Sequence, residues 1–537
     1  MNWPLVFRLL GYLAILVGGS MVVTLPWSFP VFGQTATFER ASFIGMLEAI
    51  AASTVSGAVL MALGRKSVGD PLLRKEALAV VGMGWILSGV LGGLPYLLTP
   101  TYRLPGVAMS ISDAVFESVS GFTTTGASVL TQLEVPADVS DCEAAAVAGQ
   151  IGYIPRSVLF WRSFTHWLGG MGIIVLFVAI LGHLGAGGKA LMRREVPGPL
   201  SDTVRPRIRD TAMLMWSIYL GLSAIMTLLL LVQGMDVFES LCHTFGTLAT
   251  GGFSTRNSSI GAYQSVNIEI TVIAFMILAG TNFNLYYLLF RTTTDPLDRS
   301  RLARVRAFFS DPELRAYLAI IVVGTAVLTC VLYAGQTYDS VAAGIRHACF
   351  NVVAVMTTTG FGTEDFAIWP EFGRACLLIL MFVGGCSGST GGGVKVIRLL
   401  VLFKVLKLEG ERAFRPNLVR PLRLAGNRIE DSVGRDVLVY CCLIAVIAVG
   451  SWTILLALEP GSQWQGETFT EKLTDCAGAV VATLNNIGPG LGICGPHGNY
   501  TAFSEASKLL LSVLMLLGRL ELFAIIVLFI PGFWKIQ

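Results

Sequence analysis

The sequence predicts an all-α polytopic membrane protein: four span–half-helix–span repeats around a central axis, plus an N-terminal pair of transmembrane helices. Two observations carry this. Of the 537 residues, 54% are hydrophobic and 14% charged, whereas soluble domains average about 25% charged. Apolar stretches of about 20 residues, the length that crosses a bilayer, recur throughout. The second observation is one unusual element. Asp113 to Gly121 leads into Gly121-Phe-Thr-Thr-Thr-Gly-Ala-Ser128. As a helix this lead of about ten residues spans roughly 15 Å, half of a hydrocarbon core of about 30 Å, so it enters the membrane and turns back.

The element recurs three more times. Val237-Phe-Glu-Ser240 runs into Thr247-Leu-Ala-Thr-Gly-Gly-Phe253, Asp339 to Val355 into Met356-Thr-Thr-Thr-Gly-Phe361, and Glu471 to Val481 into Ala482-Thr-Leu-Asn-Asn-Ile-Gly-Pro489. The first two share Phe-Glu-Ser, at Phe116-Glu117-Ser118 and Phe238-Glu239-Ser240. Thr-Thr-Gly alone is common; four spaced copies point to a repeat architecture.

Taken in order, Leu5 to Val23 is the first span. It lacks a small-residue cleavage site and a second span, Ser42 to Leu63, follows, so it is read as retained. This pair, residues 1–66, stands apart from the repeats. Repeat one (67–195) uses Ala77 to Leu98 and Val158 to Leu184; repeat two (196–305) uses Thr211 to Val232 and Ile268 to Phe290. Repeat three (306–425) uses Leu318 to Ala334 and Ala375 to Val405; repeat four (426–537) uses Val437 to Leu458 and Lys508 to Ile530. The expectation is ten full spans and four half-spans. Leu130 to Pro155 is acidic and rich in Ala and Gly, and no chemistry attaches to it. In repeat three, Gly384-Gly-Cys-Ser-Gly-Ser-Thr-Gly-Gly-Gly393 interrupts the second span. Each Gly costs a helix about 1 kcal/mol, and unwound backbone at membrane depth persists only where protein buries it or water reaches it. The loop is therefore expected to face the central pathway.

The net charge of +3 is small and gives no reason to expect a nucleic-acid partner. Its distribution is informative. Segments 185–210, 291–315 and 404–435 are basic, while the half-helices lie among Asp113, Glu117, Glu134, Asp138, Asp141, Glu143, Glu364, Asp365, Glu467 and Glu471. The positive-inside rule places the basic loops in the cytoplasm and the half-helices on the outer side. Ten cysteines lie mostly in apolar segments, among them Cys330, Cys376, Cys441 and Cys442, and read as buried free thiols. A Cys476–Cys494 bridge is left open.

A bare cation crossing a bilayer needs oxygens to replace its water, and carbonyls and Thr hydroxyls supply them without burying full charge. Inward-pointing carbonyls need dihedrals that Gly tolerates best, and each half-helix aims the partial negative charge of its C-terminus at the axis. Four such elements make a ring of oxygens around a central pore.

These motifs resemble the TrkH/KtrB/HKT superfamily of potassium transporters over essentially the whole chain. The N-terminal pair, Phe-Glu-Ser-x-Ser-Gly-Phe-Thr-Thr-Thr-Gly, Thr-Gly-Gly-Phe-Ser-Thr and Leu-Asn-Asn-Ile-Gly-Pro-Gly-Leu-Gly are similar to its TrkH branch. The resemblance implies filter glycines at Gly126, Gly251, Gly360 and Gly488. It adds Thr124, Thr125, Ala249, Thr250, Thr358, Thr359, Asn485, Asn486 and Ile487 as potassium ligands. Gly126 stands where the family's sodium-carrying plant members have Ser, which favours potassium. It further implies an intramembrane gating loop at Gly384 to Gly393, with Gly384, Gly385, Gly388, Gly391, Gly392, Gly393 and the following Lys395, and an Arg519 contact to that loop. The implied assembly is a homodimer in the bacterial cytoplasmic membrane on a separate cytosolic ring of nucleotide-binding regulatory subunits of TrkA type. Potassium is then the substrate, and no bound cofactor is implied.

Other readings sit beside these. Gly490 to Gly495 matches a dinucleotide fingerprint by pattern but follows no strand and opens no helix. Gly388 to Lys395 resembles a phosphate loop, but its Lys is one place late and it interrupts an apolar span. Arg519 either holds the loop or pairs with a carboxylate. Glu117 and Glu239 either attract cations to the mouth or tie half-helices to neighbouring spans. Arg162 and His166 open a span near the membrane edge and read as interfacial; the five His residues show no metal spacing. The function classes are then a potassium-selective channel-like uptake pore, or a potassium symporter coupled to sodium or protons. No nucleophile or metal constellation supports a membrane enzyme.

Overall fold

The computed structural model describes residues 1–33, 37–67, 72–134, 142–148, 150, 152–172, 208–290, 301–417, 421–424, 427–428, 431–459 and 469–534. Within them the chain is helical apart from two short hairpins, Tyr102–Leu104 with Val107–Ala108 and Arg423–Leu424 with Asn427–Arg428. Six continuous helices are long and apolar enough to span a bilayer: Trp3–Ser28, Arg40–Leu63, Lys75–Leu98, Ala212–Val232, Pro312–Ala334 and Ser432–Leu458. They are the N-terminal pair and the first span of each repeat, and they make this a multi-pass membrane protein. The pair packs through small residues: a Cβ on Gly11 would meet the Gly57 carbonyl at 2.7 Å, the close backbone approach that holds helices together in lipid.

The expectation of ten full spans is corrected in repeats two, three and four, whose second spans are broken. Arg156–Gly170 ends at Met171 and Gly172, and the rest of that expected span lies outside the described residues. Val266–Ala279 stops at Gly280 and Phe283–Phe290 follows. Glu371–Leu380 and Val396–Phe414 flank the Gly-rich loop. Glu505–Arg519 meets Phe523–Phe529 at a bend of 119°, where Glu521 and Leu522 take φ of 53° and 68°. In repeats one and four the second span is crowded against a half-helix. A Cβ on Gly169 would collide with the carbonyl of Phe122, and one on Gly518 with that of Leu484, the last residues of the first and fourth half-helices.

The half-helices are Ile111–Phe122, Val237–Leu248, Val341–Met356 and Phe469–Leu484. Ser110, with Asp113, forms a capping box on the first; Asp236 and Ser340 cap the second and third. At 12 residues the first two are about 18 Å long, half a membrane. All ten cysteines are free, so Cys476 and Cys494 are unbridged; Cys330 and Cys442 are exposed, contrary to the buried reading. Apolar neighbours in lipid satisfy a thiol on an outward helix face as well as a core does.

Candidate functional site

Each half-helix ends in the same way. The residue after the cap lies in the left-handed region: Thr124, Thr250, Thr358 and Asn486, at φ of 54°, 56°, 59° and 55°. Its N–H bonds back three residues, to Gly121, Thr247, Val355 and Thr483, and the next N–H bonds back five, to Ser120, Gly246, Ala354 and Ala482. This is the Schellman closure, normally made by Gly. A β-branched residue there is strained, and three of the four positions here are Thr.

Two residues further on, a glycine takes positive φ: Gly126 at 79°, Gly252 at 76°, Gly360 at 77° and Gly488 at 90°. In the second loop this is Gly252, one place after the Gly251 that the motif pairing selects. Gly251 instead corresponds to Thr125, Thr359 and Ile487, and Ala249 to the cap residues Thr123, Thr357 and Asn485. Thr-Gly-Gly offers two registers in sequence, and only the backbone angle chooses between them.

The four loops close on one another. A Cβ on Gly126 would collide with the Gly251 carbonyl, on Gly252 with Thr359, on Gly360 with Ile487, and on Gly488 it would meet the Thr125 carbonyl at 2.5 Å. Loop one therefore touches two, two touches three, three touches four, and four returns to one. The carbonyls of Thr125, Gly251, Thr359 and Ile487 form a cyclic set around a common axis. Thr125 and Thr359, in opposite quadrants, bond their hydroxyls to Thr123 and Thr357 at 2.8 and 2.7 Å. Asn486 Nδ2 donates to Thr125 Oγ1 at 2.9 Å, sealing the last junction.

Buried ionic and imidazole contacts clamp the first junction. Arg162 pairs with Glu117 at 2.6 Å, donates to the Ser254 carbonyl at 2.9 Å and lies 3.5 Å over the Phe253 ring. Glu117 also accepts from Ser128 Oγ and the Val129 N–H. His166 Nδ1 bonds the Gly121 carbonyl at 2.7 Å, and its Nε2 accepts from the Phe253 N–H. Arg162 and His166 are 3% and 0% exposed, so neither is interfacial. They were missed because their partners lie 45 or more positions away, where spacing carries no signal. Glu117 and Glu239, the latter paired with Arg256 at 2.6 Å, both tie half-helix to loop. Removing one partner of a buried pair costs about 3–5 kcal/mol. Arg162→Met is therefore expected to lower thermal stability in detergent sharply, and Arg162→Met/Glu117→Leu to recover part of the loss; equal melting of wild type and Arg162→Met would contradict this.

On the half-helix entry side, a cavity of about 270 Å³ opens over the ring, lined by Gly126, Gly252, Gly360 and Gly488 together with Arg162, Arg256 and Tyr500. On the other side lies the Gly384–Gly393 loop, folded against the ends of the half-helices. The Gly392 N–H donates to Thr358 Oγ1 at 2.7 Å, and a Cβ on Gly391 would meet the Thr357 carbonyl at 3.0 Å. Gly384 N donates to the Val394 carbonyl and Val396 N to that of Gly385, closing the loop's base; a Cβ on Gly388 would meet Asn282. Lys395 Nζ bonds the Gly391 carbonyl. Arg519 donates to the Thr390 carbonyl at 2.7 Å, to Thr124 Oγ1 at 3.1 Å and to the Gly170 carbonyl at 2.9 Å. Glu313, absent from the sequence reading, accepts from the Ser387 N–H at 2.6 Å and the Ile397 N–H at 3.1 Å. Among the described residues no three His, Cys, Asp or Glu side chains gather to hold a metal.

A ring of oxygens with fixed geometry, open on one face and covered on the other by a loop, suits the passage of a dehydrated cation. Comparison with known proteins agrees. Residues 46–536 match the family TrkH, cation transport protein. The chain is 35% identical over 539 residues to the Trk system potassium uptake protein TrkH of Escherichia coli K12, covering all of both chains. It is likewise 35% identical over 546 residues to the protein of that name from Halomonas elongata, again covering all of both. The crystal structure of the potassium transporter TrkH from Vibrio parahaemolyticus superposes with a TM-score of 0.79 at 31% identity, over all of both chains. The chain belongs to the TrkH family of cation transport proteins.

Proposed function

We propose that this protein takes up potassium across the bacterial cytoplasmic membrane through a channel-like pore along the ring axis. The observation that carries the reading is the cyclic closure of the four loops through Thr125, Gly251, Thr359 and Ile487. Carbonyls held this way replace an ion's water without net charge, and the names of the relatives supply potassium as the ion. In this reading Thr124, Thr125, Gly126, Thr250, Gly251, Gly252, Thr358, Thr359, Gly360, Asn486, Ile487 and Gly488 form the filter. Gly384 to Gly393 is the gate, held shut by Lys395 and Arg519. The half-helices face outward, and the basic segments face the cytoplasm.

Rubidium flux in liposomes, with sodium as competitor, tests this. A passive pore follows the potassium gradient alone and resists sodium. Flux that requires a sodium or proton gradient would replace it with the coupled symporter.

The protein is further proposed to act as a homodimer on a cytosolic nucleotide-binding ring. Lys404, Lys407 and Arg412 lie exposed along Val396–Phe414, with Arg415 exposed just after its end, beside a cavity of about 560 Å³ lined by Lys404, Lys407 and Arg423. Arg420 lies outside the described residues. Neutralising Arg415, Arg420 and Arg423 together is expected to weaken co-purification of a regulatory ring about tenfold, at the roughly 0.2–1 kcal/mol that an exposed charge pair supplies, while the pore still assembles. Full-strength co-purification would exclude this surface.

A further inference from the structure

The fourth loop differs chemically from the others. It lacks a Thr hydroxyl at every position of the ring, and Ile487 fills the place of Thr125 and Thr359. Its glycine also differs in its surroundings. The Gly488 carbonyl accepts a hydrogen bond from the Tyr500 hydroxyl at 2.7 Å, while among the described residues no such side-chain donor is found on the carbonyls of Gly126, Gly252 or Gly360.

Tyr500 is placed for this with little freedom. It is 2% exposed, and its ring packs on Phe116 at 5.3 Å and Phe503 at 5.8 Å. Its own N–H donates to the Ser128 carbonyl at 2.8 Å, and Thr501 Oγ1 donates to the Val129 carbonyl at 2.8 Å. Ser128 and Val129 are the residues that the Glu117 carboxylate holds. Tyr500 thus spans the junction between loops four and one, anchored on loop one and reaching to a glycine of loop four whose φ of 90° leaves its peptide free to turn.

We propose that Tyr500 is a specificity-determining positioning residue: its hydroxyl pins the Gly488 carbonyl and stops the fourth quadrant from closing onto a cation smaller than potassium. This rests on the ring being the selectivity filter. A carbonyl has two lone pairs, so one can face an ion while the other accepts from Tyr500. Without the hydroxyl the carbonyl can turn inward and shorten its reach to sodium. The other quadrants are constrained by the Thr hydroxyl pairs and the Arg162–His166 clamp; loop four is tied through the Asn486 side chain to Thr125 Oγ1 and the Met515 carbonyl, bonds that do not reach the Gly488 carbonyl.

The test uses the full chain in liposomes, comparing rubidium uptake at rising sodium. Tyr500→Phe removes one oxygen and is expected to raise sodium competition about fivefold, the size of one lost hydrogen bond. 3-Fluorotyrosine at 500 keeps the donor and is expected to keep the wild-type ratio. Gly360→Ser serves as the filter benchmark. If Gly360→Ser changes the ratio and Tyr500→Phe does not, whether or not total flux falls, Tyr500 is only a strut and the inference is overturned. Loss of the ratio with 3-fluorotyrosine overturns it also. If Gly360→Ser leaves the ratio unchanged, the filter reading itself fails and takes the inference with it.

Discussion

Gly126→Ser is expected to remove most of the discrimination between potassium and sodium while the protein still assembles. Two effects add. Serine at φ of 79° carries backbone strain of about 1–3 kcal/mol. Its Cβ would also run into the Gly251 carbonyl oxygen, which is main chain and part of the ring. The strain is therefore relieved by moving a ligand rather than by turning a side chain. A loss of roughly tenfold in selectivity follows, since 1.36 kcal/mol is a factor of ten. The ring's cyclic logic extends this: Gly252→Ser, Gly360→Ser and Gly488→Ser meet the same obstacle in the next loop and are expected to act alike. Rubidium flux against sodium in liposomes reads the effect. A Gly126→Ser protein of normal yield and normal ion ratio would contradict it.

Arg519→Ala is expected to raise basal flux in the absence of any cytosolic partner. The guanidinium joins three bodies: the Gly-rich loop at Thr390, the second span of repeat one at Gly170, and the first ring loop at Thr124. Hydrogen bonds to a charged group are worth about 1.5–3 kcal/mol each. Losing the Thr390 bond, the only one of these three made to the Gly-rich loop, is expected to shift the proposed closed–open equilibrium by roughly ten- to hundredfold. Deleting Gly391 to Gly393 is expected to raise flux too. It also removes the Gly392 bond to Thr358 Oγ1 in the third ring loop and shortens the backbone packed under the ring, whereas Arg519→Ala costs the ring only the 3.1 Å bond to Thr124 Oγ1. Selectivity should fall more in the deletion. Lower flux in a folded Arg519→Ala protein would make the loop a support and not a gate.

The four loops and the Gly-rich break were legible because each is a local departure from a strong background: hydroxyls and glycines stand out inside apolar runs. The same background hid the other two breaks. Gly280 and Gly518 are single glycines in apolar helices, which sequence reasoning tolerates; Gly280 lies tight against Tyr317 of another span and Gly518 against the end of the fourth half-helix, neighbours that local sequence does not reveal. The register of the second loop was hidden for a different reason, since Gly251 and Gly252 are chemically identical and only φ separates them. Arg162, His166, Glu313 and Tyr500 were hidden because their partners are set by the way the repeats assemble. Arg162 looked like an edge residue at the start of a span. Closing the ring buries it against Phe253 and Glu117.

Thallium, a heavy cation of potassium's size, tests the central claim most directly. Crystals grown in thallium salt and measured for anomalous scattering should show density on the axis bounded by the carbonyls of Thr125, Gly251, Thr359 and Ile487. That density should be displaced by potassium and not by equal sodium. An empty ring, with thallium bound elsewhere in the membrane-spanning region, would contradict the account.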